Sequence, residues 1–111
     1  MEQFITGDIW ATVNKHLKKG QQRNACIAYV TSSSLNLTKR DILVCDASNY
    51  SIKYGNTSAK VLEHYYKKGV SIYSNGNLHS KFLFTNDFLV LGSANLSRSS
   101  AENLIESSVI T

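Results

Sequence analysis

Residues 79–95 read HSKFLFTNDFLVLGSAN. A histidine and a lysine stand with one residue between them at the head of an apolar run, and a second apolar run closes on Gly92-Ser93-Ala94-Asn95. Alternate residues of a strand share a face, so His79 and Lys81 project together. An imidazole beside an ammonium makes an anion site that contains its own nucleophile. A two-residue turn at Asn86-Asp87 sets Gly92 across from Lys81, where the missing side chain leaves room for a bulky ligand group. Ser93 and Asn95 follow as the chain leaves the strand, and both can donate hydrogen bonds to an oxygen. Such a set suits a tetrahedral, negatively charged phosphoryl group. Lys81 supplies a point charge, Ser93 and Asn95 orient the oxygens, and His79 attacks phosphorus. Attack needs a neutral imidazole whose other N–H is held. Glu106 is the best available carboxylate for that, with Glu102 next.

These residues need a scaffold. Ile9, Trp10, Val13 and Leu17 recur at helical spacing over about residues 7–19, with Thr6 or Asp8 as cap and Gly20 as stop. NACIAYVT and DILVCDAS read as buried strands. SSSLNLTKR and NYSIKYGNT read as connections. TSAKVLEHYYKKG predicts a second helix with Val61, Leu62, Tyr65 and Tyr66 on its apolar side. VSIYS is a third strand, NGN a turn, and the two opening runs strands four and five. SRSSAEN reads as a polar loop, and LIESSVI as a last strand carrying Glu106. This order predicts an α/β fold: a mixed β-sheet flanked by helices on both faces, mostly parallel, with a late antiparallel hairpin. Gly55-Asn56-Thr57 reads as a turn and N-cap rather than a phosphate loop. His16 and His64 read as solvated helix residues. The sequence stops directly after a strand, and the expectation is a final strand at an interface or a piece of a longer chain.

A chain of 111 residues predicts one domain, 1–111. The net charge of +4 modestly favours polyanionic partners. The basic pairs Lys18-Lys19, Lys39-Arg40 and Lys67-Lys68 also suit helix C-termini, where they offset the dipole. No apolar stretch approaches the ~20 residues of a membrane span, and the N-terminus has no apolar signal core, so a cytoplasmic location is expected. Cys26 and Cys45 sit in apolar runs and are expected as buried, reduced thiols. No Cys or His pair has zinc-ligand spacing.

The segment HSKFLFTNDFLVLGSAN resembles the His-x-Lys and Gly-Ser-x-Asn signature of the phospholipase D superfamily, the HKD motif. NLIES resembles that family's downstream segment, and GNTSAKVLEHYYKKGVSIYSNGNLHSKF its helix, strand and approach to the histidine. The resemblance implies a metal-independent phosphodiesterase with no cofactor. His79 would form a phosphohistidine, Lys81, Ser93 and Asn95 would hold the phosphate, and Glu106 would orient His79. The family's aspartate slot holds Asn86 here, with Asp87 next, which reads as a shifted turn residue of structural purpose. A working site in that family needs two motifs and this chain has one. A homodimer with paired His79 residues is therefore expected, the alternative being a second motif on a longer parent chain. Basic charge and the absence of an apolar span favour nucleic acid as substrate. A phospholipase or phosphatidyl transferase, and a non-catalytic nucleic-acid-binding module, are the alternatives.

Overall fold

The computed structural model describes residues 2–111. Seven short strands are described: β1 (Gln3–Thr6), β2 (Asn24–Ile27), β3 (Ile42–Cys45), β4 (Ser71–Ser74), β5 (Lys81–Phe84), β6 (Leu89–Gly92) and β7 (Ser107–Ile110). The helices are α1 (Ile9–Asn14), α2 (Asn49–Lys53), α3 (Ala59–Lys67) and α4 (Arg98–Glu102). The strands form one sheet in the order β1-β7-β6-β5-β2-β3-β4. β2, β3 and β4 run parallel, and the other half is antiparallel throughout. The halves meet at an antiparallel β2–β5 seam, with Ile27 opposite Lys81.

Strand alternation sorts the side chains. On one face Ile5, Val90, Leu83, Ala25 and Leu43 pack with Ile9, Trp10 and Val13 of α1, Tyr65 of α3, and Leu35 and Leu37 of the β2–β3 connection. Each large apolar side chain buried there contributes about 1.5–3 kcal/mol. The Tyr65 hydroxyl donates to Leu35 O at 2.8 Å, so its polar tip is satisfied inside the core. The neighbouring Tyr66 points outward, against the expectation that both tyrosines pack.

The other face departs from the expected layering. Phe4, Val109, Leu91, Phe82, Cys26, Val44 and Tyr73 lie in register as one row across all seven strands. Phe4 is 68% exposed, Leu91 56% and Tyr73 59%, so among the described residues no helix shields these members of the row. The β2–β3 and β3–β4 connections step in the same direction, and right-handed crossovers then fall on the same side of the sheet. Cys26 belongs to this row and is half-buried, while Cys45 is buried in the core; both are free thiols.

Element boundaries also differ from the sequence expectation. α1 ends at Asn14, although the apolar spacing runs on to Leu17. Residues 49–53 form α2, capped by Ser48, whose side chain accepts from Ser51 N. α4 occupies part of the expected polar loop, and the last strand begins at Ser107, after Glu106. β7 is not an edge: β1, a strand not anticipated, pairs along it and takes the edge position. No helix of the described residues is long and apolar enough to cross a membrane.

Candidate active site

The chemistry-bearing residues gather at one end of the sheet, where β2, β3, β4 and β6 finish and β5 and β7 begin. In open sheets of this kind, the carboxyl ends of parallel strands beside a change in strand order form the natural crevice for a ligand. The chain enters β5 through His79-Ser80, and Ala28 N donates to Ser80 O at 3.0 Å, stapling this entry to the exit of β2. Phe82 pairs with Leu91, and continuing the register by one position sets Lys81 across from Gly92.

His79 and Lys81 touch. Lys81 Nζ donates to the His79 carbonyl at 2.7 Å and lies 3.3 Å from His79 Nδ1. An ammonium only donates, so in this contact Nδ1 is the acceptor and a neutral ring carries its proton on Nε2. Partial burial pulls the Lys81 pKa below its ordinary value, while the negative charge of Glu106 pushes it back up. Glu106 is buried at 9% exposure one residue before β7. Its field therefore reaches Lys81, while no hydrogen bond joins it to His79 among the described residues. Glu102 is engaged elsewhere: its carboxylate accepts from Arg98 Nε at 2.6 Å along α4.

Asn95 is held at both its side chain and its backbone. Its Oδ1 accepts from Tyr29 N at 3.2 Å, which leaves the amide NH₂ as the free donor group. Trp10 Nε1 donates to the carbonyls of Ala94 (3.3 Å) and Asn95 (3.1 Å). The Tyr29 ring meets the His79 ring edge-on, with centroids 6.3 Å apart. Tyr29 thus links Asn95 to His79 through its backbone on one side and its ring on the other. Ser93 serves the frame more than a ligand: its hydroxyl accepts from Ser107 N at 3.1 Å and reaches Ser107 O at 3.4 Å. That contact fixes the residue after Glu106.

Gly92 plays a different part from the one its position suggested. A Cβ built on it would lie 1.9 Å from Ser108 Oγ and 2.4 Å from Ser107 O. The space over the glycine is filled by Ser108 of the neighbouring strand, not left for a ligand. Asp87 is a turn residue of structural purpose. It accepts from Gln21 at 2.7 Å and pairs with Lys18 at 3.2 Å, at the opposite end of the sheet from His79. His16 is also at that far end, edge-on to Phe88, and His64 is an exposed residue of α3. Gly55 turns the chain at φ +77°, and Ser58 rather than Thr57 caps α3. Trp10, Tyr29, Ser107 and Ser108 are the supporting residues that sequence reasoning missed. Trp10 carried one signal, as the chain's single tryptophan. Among the described residues no group of three or more His, Cys, Asp or Glu is arranged to hold a metal ion.

No family model and no curated protein matches the chain. Solved structures do. Nuc from Salmonella typhimurium, a phospholipase D family member, superposes with a TM-score of 0.70 over 99% of this chain and 82% of its own, at 12% identity. NucT from Helicobacter pylori gives 0.67 over 99% and 84%, at 13% identity. Polyphosphate kinase from Porphyromonas gingivalis gives 0.67 over 100% of this chain and 23% of its own, at 10% identity. The mixed seven-stranded sheet with flanking helices is therefore a phospholipase D-like fold.

Proposed function

We propose that this chain is a phosphodiesterase of the phospholipase D superfamily, acting on nucleic acid through a covalent phosphohistidine at His79. The observation that carries this is the direct contact of Lys81 Nζ with both His79 Nδ1 and the His79 carbonyl, at the crevice end of a phospholipase D-like sheet. A substrate phosphate draws Lys81 Nζ away from the ring. Exchange through solvent then moves the ring proton from Nε2 to Nδ1, where Glu106 holds it, and the lone pair is left on Nε2. Nε2 attacks phosphorus and forms a P–N bond as the P–O bond to the leaving group breaks. In this reading the leaving oxygen takes a proton from the His79 imidazolium of a second copy, which contributes the second motif that the resemblance calls for. Water, giving its proton back to that second ring, then attacks phosphorus and breaks the P–N bond, releasing a phosphomonoester and regenerating His79. Lys81 and the Asn95 amide neutralise and orient the charge on the non-bridging oxygens, with Ser93 at the rim. No step assigns work to a metal ion or cofactor.

The test compares wild type and His79→Ala on plasmid and single-stranded DNA in excess EDTA, with phosphatidylcholine vesicles as the lipid arm. Cleavage of DNA that disappears in the variant supports the proposal. Activity on lipid alone reassigns the substrate. DNA cleavage unchanged by His79→Ala refutes the mechanism. A sedimentation measurement of active protein showing only monomer refutes the shared site.

A further inference from the structure

The three basic pairs singled out in the sequence are far apart in the chain, yet the fold brings them to one end of the sheet, Lys18 itself turned toward Asp87. Arg40 N donates to Gly69 O at 3.0 Å, and the space beside Gly69 is filled by the Lys39 side chain, which puts Lys39-Arg40 against Lys67-Lys68. Gln22 donates to Arg40 O at 3.1 Å and Arg23 donates to Lys18 O at 3.1 Å, which brings in Lys18-Lys19. All six side chains are exposed. Between two of the pairs lies a groove of about 570 Å³ lined by Gly20, Gln21, Gln22, Thr38, Lys39, Arg40 and Asp41. The location is the end of the sheet where β2, β3 and β4 begin, roughly 13 Å of strand from the end that carries His79, at about 3.3 Å of rise per residue.

The acids at this end are already committed. Asp87 takes Lys18, Glu63 takes Lys67, and the buried Asp41 accepts from Arg23 N and Thr38 N. Among the described residues no carboxylate pairs with Lys19, Lys39, Arg40 or Lys68. Lys39 and Arg40 line the groove, Lys19 adjoins its Gly20 wall and Lys68 adjoins Gly69 against Lys39; exposed like charges this near one another cost self-repulsion, which a bound polyanion would relieve. The Arg40 backbone sits at φ +75°, a conformation that non-glycine residues rarely adopt, and it carries the Arg40 side chain out beside the groove. Among the described residues no aromatic side chain lines the groove, so it offers phosphate contacts without base stacking.

We infer that this basic pole is a second, non-catalytic nucleic-acid site that grips the phosphate backbone without regard to sequence, away from the His79 edge. The choice of nucleic acid as the polyanion rests on the proposed function. Occupied together with the His79 edge, the pole raises the local concentration of substrate and tethers a second segment of strand.

The test measures binding rather than cleavage, so that it survives failure of the catalytic proposal. In the His79→Ala background, dissociation constants for a single-stranded oligonucleotide are measured from 50 to 200 mM salt. They are compared with those of the same protein bearing Lys19→Gln, Lys39→Gln, Arg40→Asn and Lys68→Gln. Asn is chosen at position 40 because it tolerates a positive φ. Each lost phosphate contact removes about 0.7 from the log–log salt slope for a single strand. Loss of four lowers the slope by about 3, with weaker binding at the lowest salt. In a His79-bearing protein, the same four changes leave hydrolysis of bis(4-nitrophenyl) phosphate unchanged, because that small ester reaches only the His79 edge. An unchanged slope overturns the inference. An equal loss of small-ester hydrolysis also overturns it, because the two ends are then not separate.

Discussion

Replacing Gly92 with alanine adds one carbon, and the structure says where it goes. The new Cβ falls 1.9 Å from Ser108 Oγ, 2.6 Å from Ser108 Cβ and 2.4 Å from the Ser107 carbonyl oxygen. The serine hydroxyl can rotate away, but the carbonyl is fixed because Ser93 N donates to it at 3.1 Å. β6 and β7 must therefore part where Gly92 faces Ser108. Overpacking a well-filled site costs about 1–3 kcal/mol, and a backbone clash puts this case near 3 kcal/mol. For a domain near this size 1 kcal/mol moves Tm by about 4–8 °C, so Gly92→Ala should lower Tm by on the order of 10 °C or more in a circular dichroism melt. Adding Ser108→Gly removes the two serine contacts and leaves the carbonyl one, so the double variant should recover only part of the loss. A Gly92→Ala protein that melts within about 2 °C of wild type would refute this account of why the glycine is there.

Trp10→Phe keeps the buried ring but removes the donor shared by the Ala94 and Asn95 carbonyls. It should cost about 1–2 kcal/mol in urea unfolding and lower kcat as the Asn95 loop loosens. Glu106→Gln removes the charge that raises the Lys81 pKa, while burial still lowers it. Lys81 must be protonated to hold phosphate, so activity falls as pH rises through its pKa, and the alkaline limb of the pH–rate profile should move to lower pH in the variant. Asp87→Ala breaks an exposed pair with Lys18, which is worth less than about 1 kcal/mol; stability should drop slightly and hydrolysis of bis(4-nitrophenyl) phosphate should be unchanged.

The parts of the site that sequence made legible are those close together along the chain. His79 and Lys81 are two residues apart, and the Asn86-Asp87 turn lies between two apolar runs, so pairing of β5 with β6 followed from local pattern. The supporting contacts were not legible, because they join residues distant in sequence. Trp10 meets Asn95 across 85 positions and Tyr29 meets Asn95 across 66. Strand β1 escaped notice because four residues with polar flanks carry little periodicity, and its identity comes from pairing with β7. α2 has five residues and owes its existence to the Ser48 cap and the Asp46–Ser51 hydrogen bond. The open apolar row needed the register of all seven strands before it could be seen. Gly92 was misread for the same reason: the neighbour that fills its empty side lies on β7, sixteen positions further along the chain.

The most direct measurement of the central claim is a trap of the covalent intermediate. Protein mixed with single-stranded DNA, quenched with alkali within the first turnovers and digested, should yield a nucleotide phosphoramidate on the peptide containing His79, absent from His79→Ala. Turnover with no adduct at His79, or an adduct that maps to His16 or His64, would contradict it.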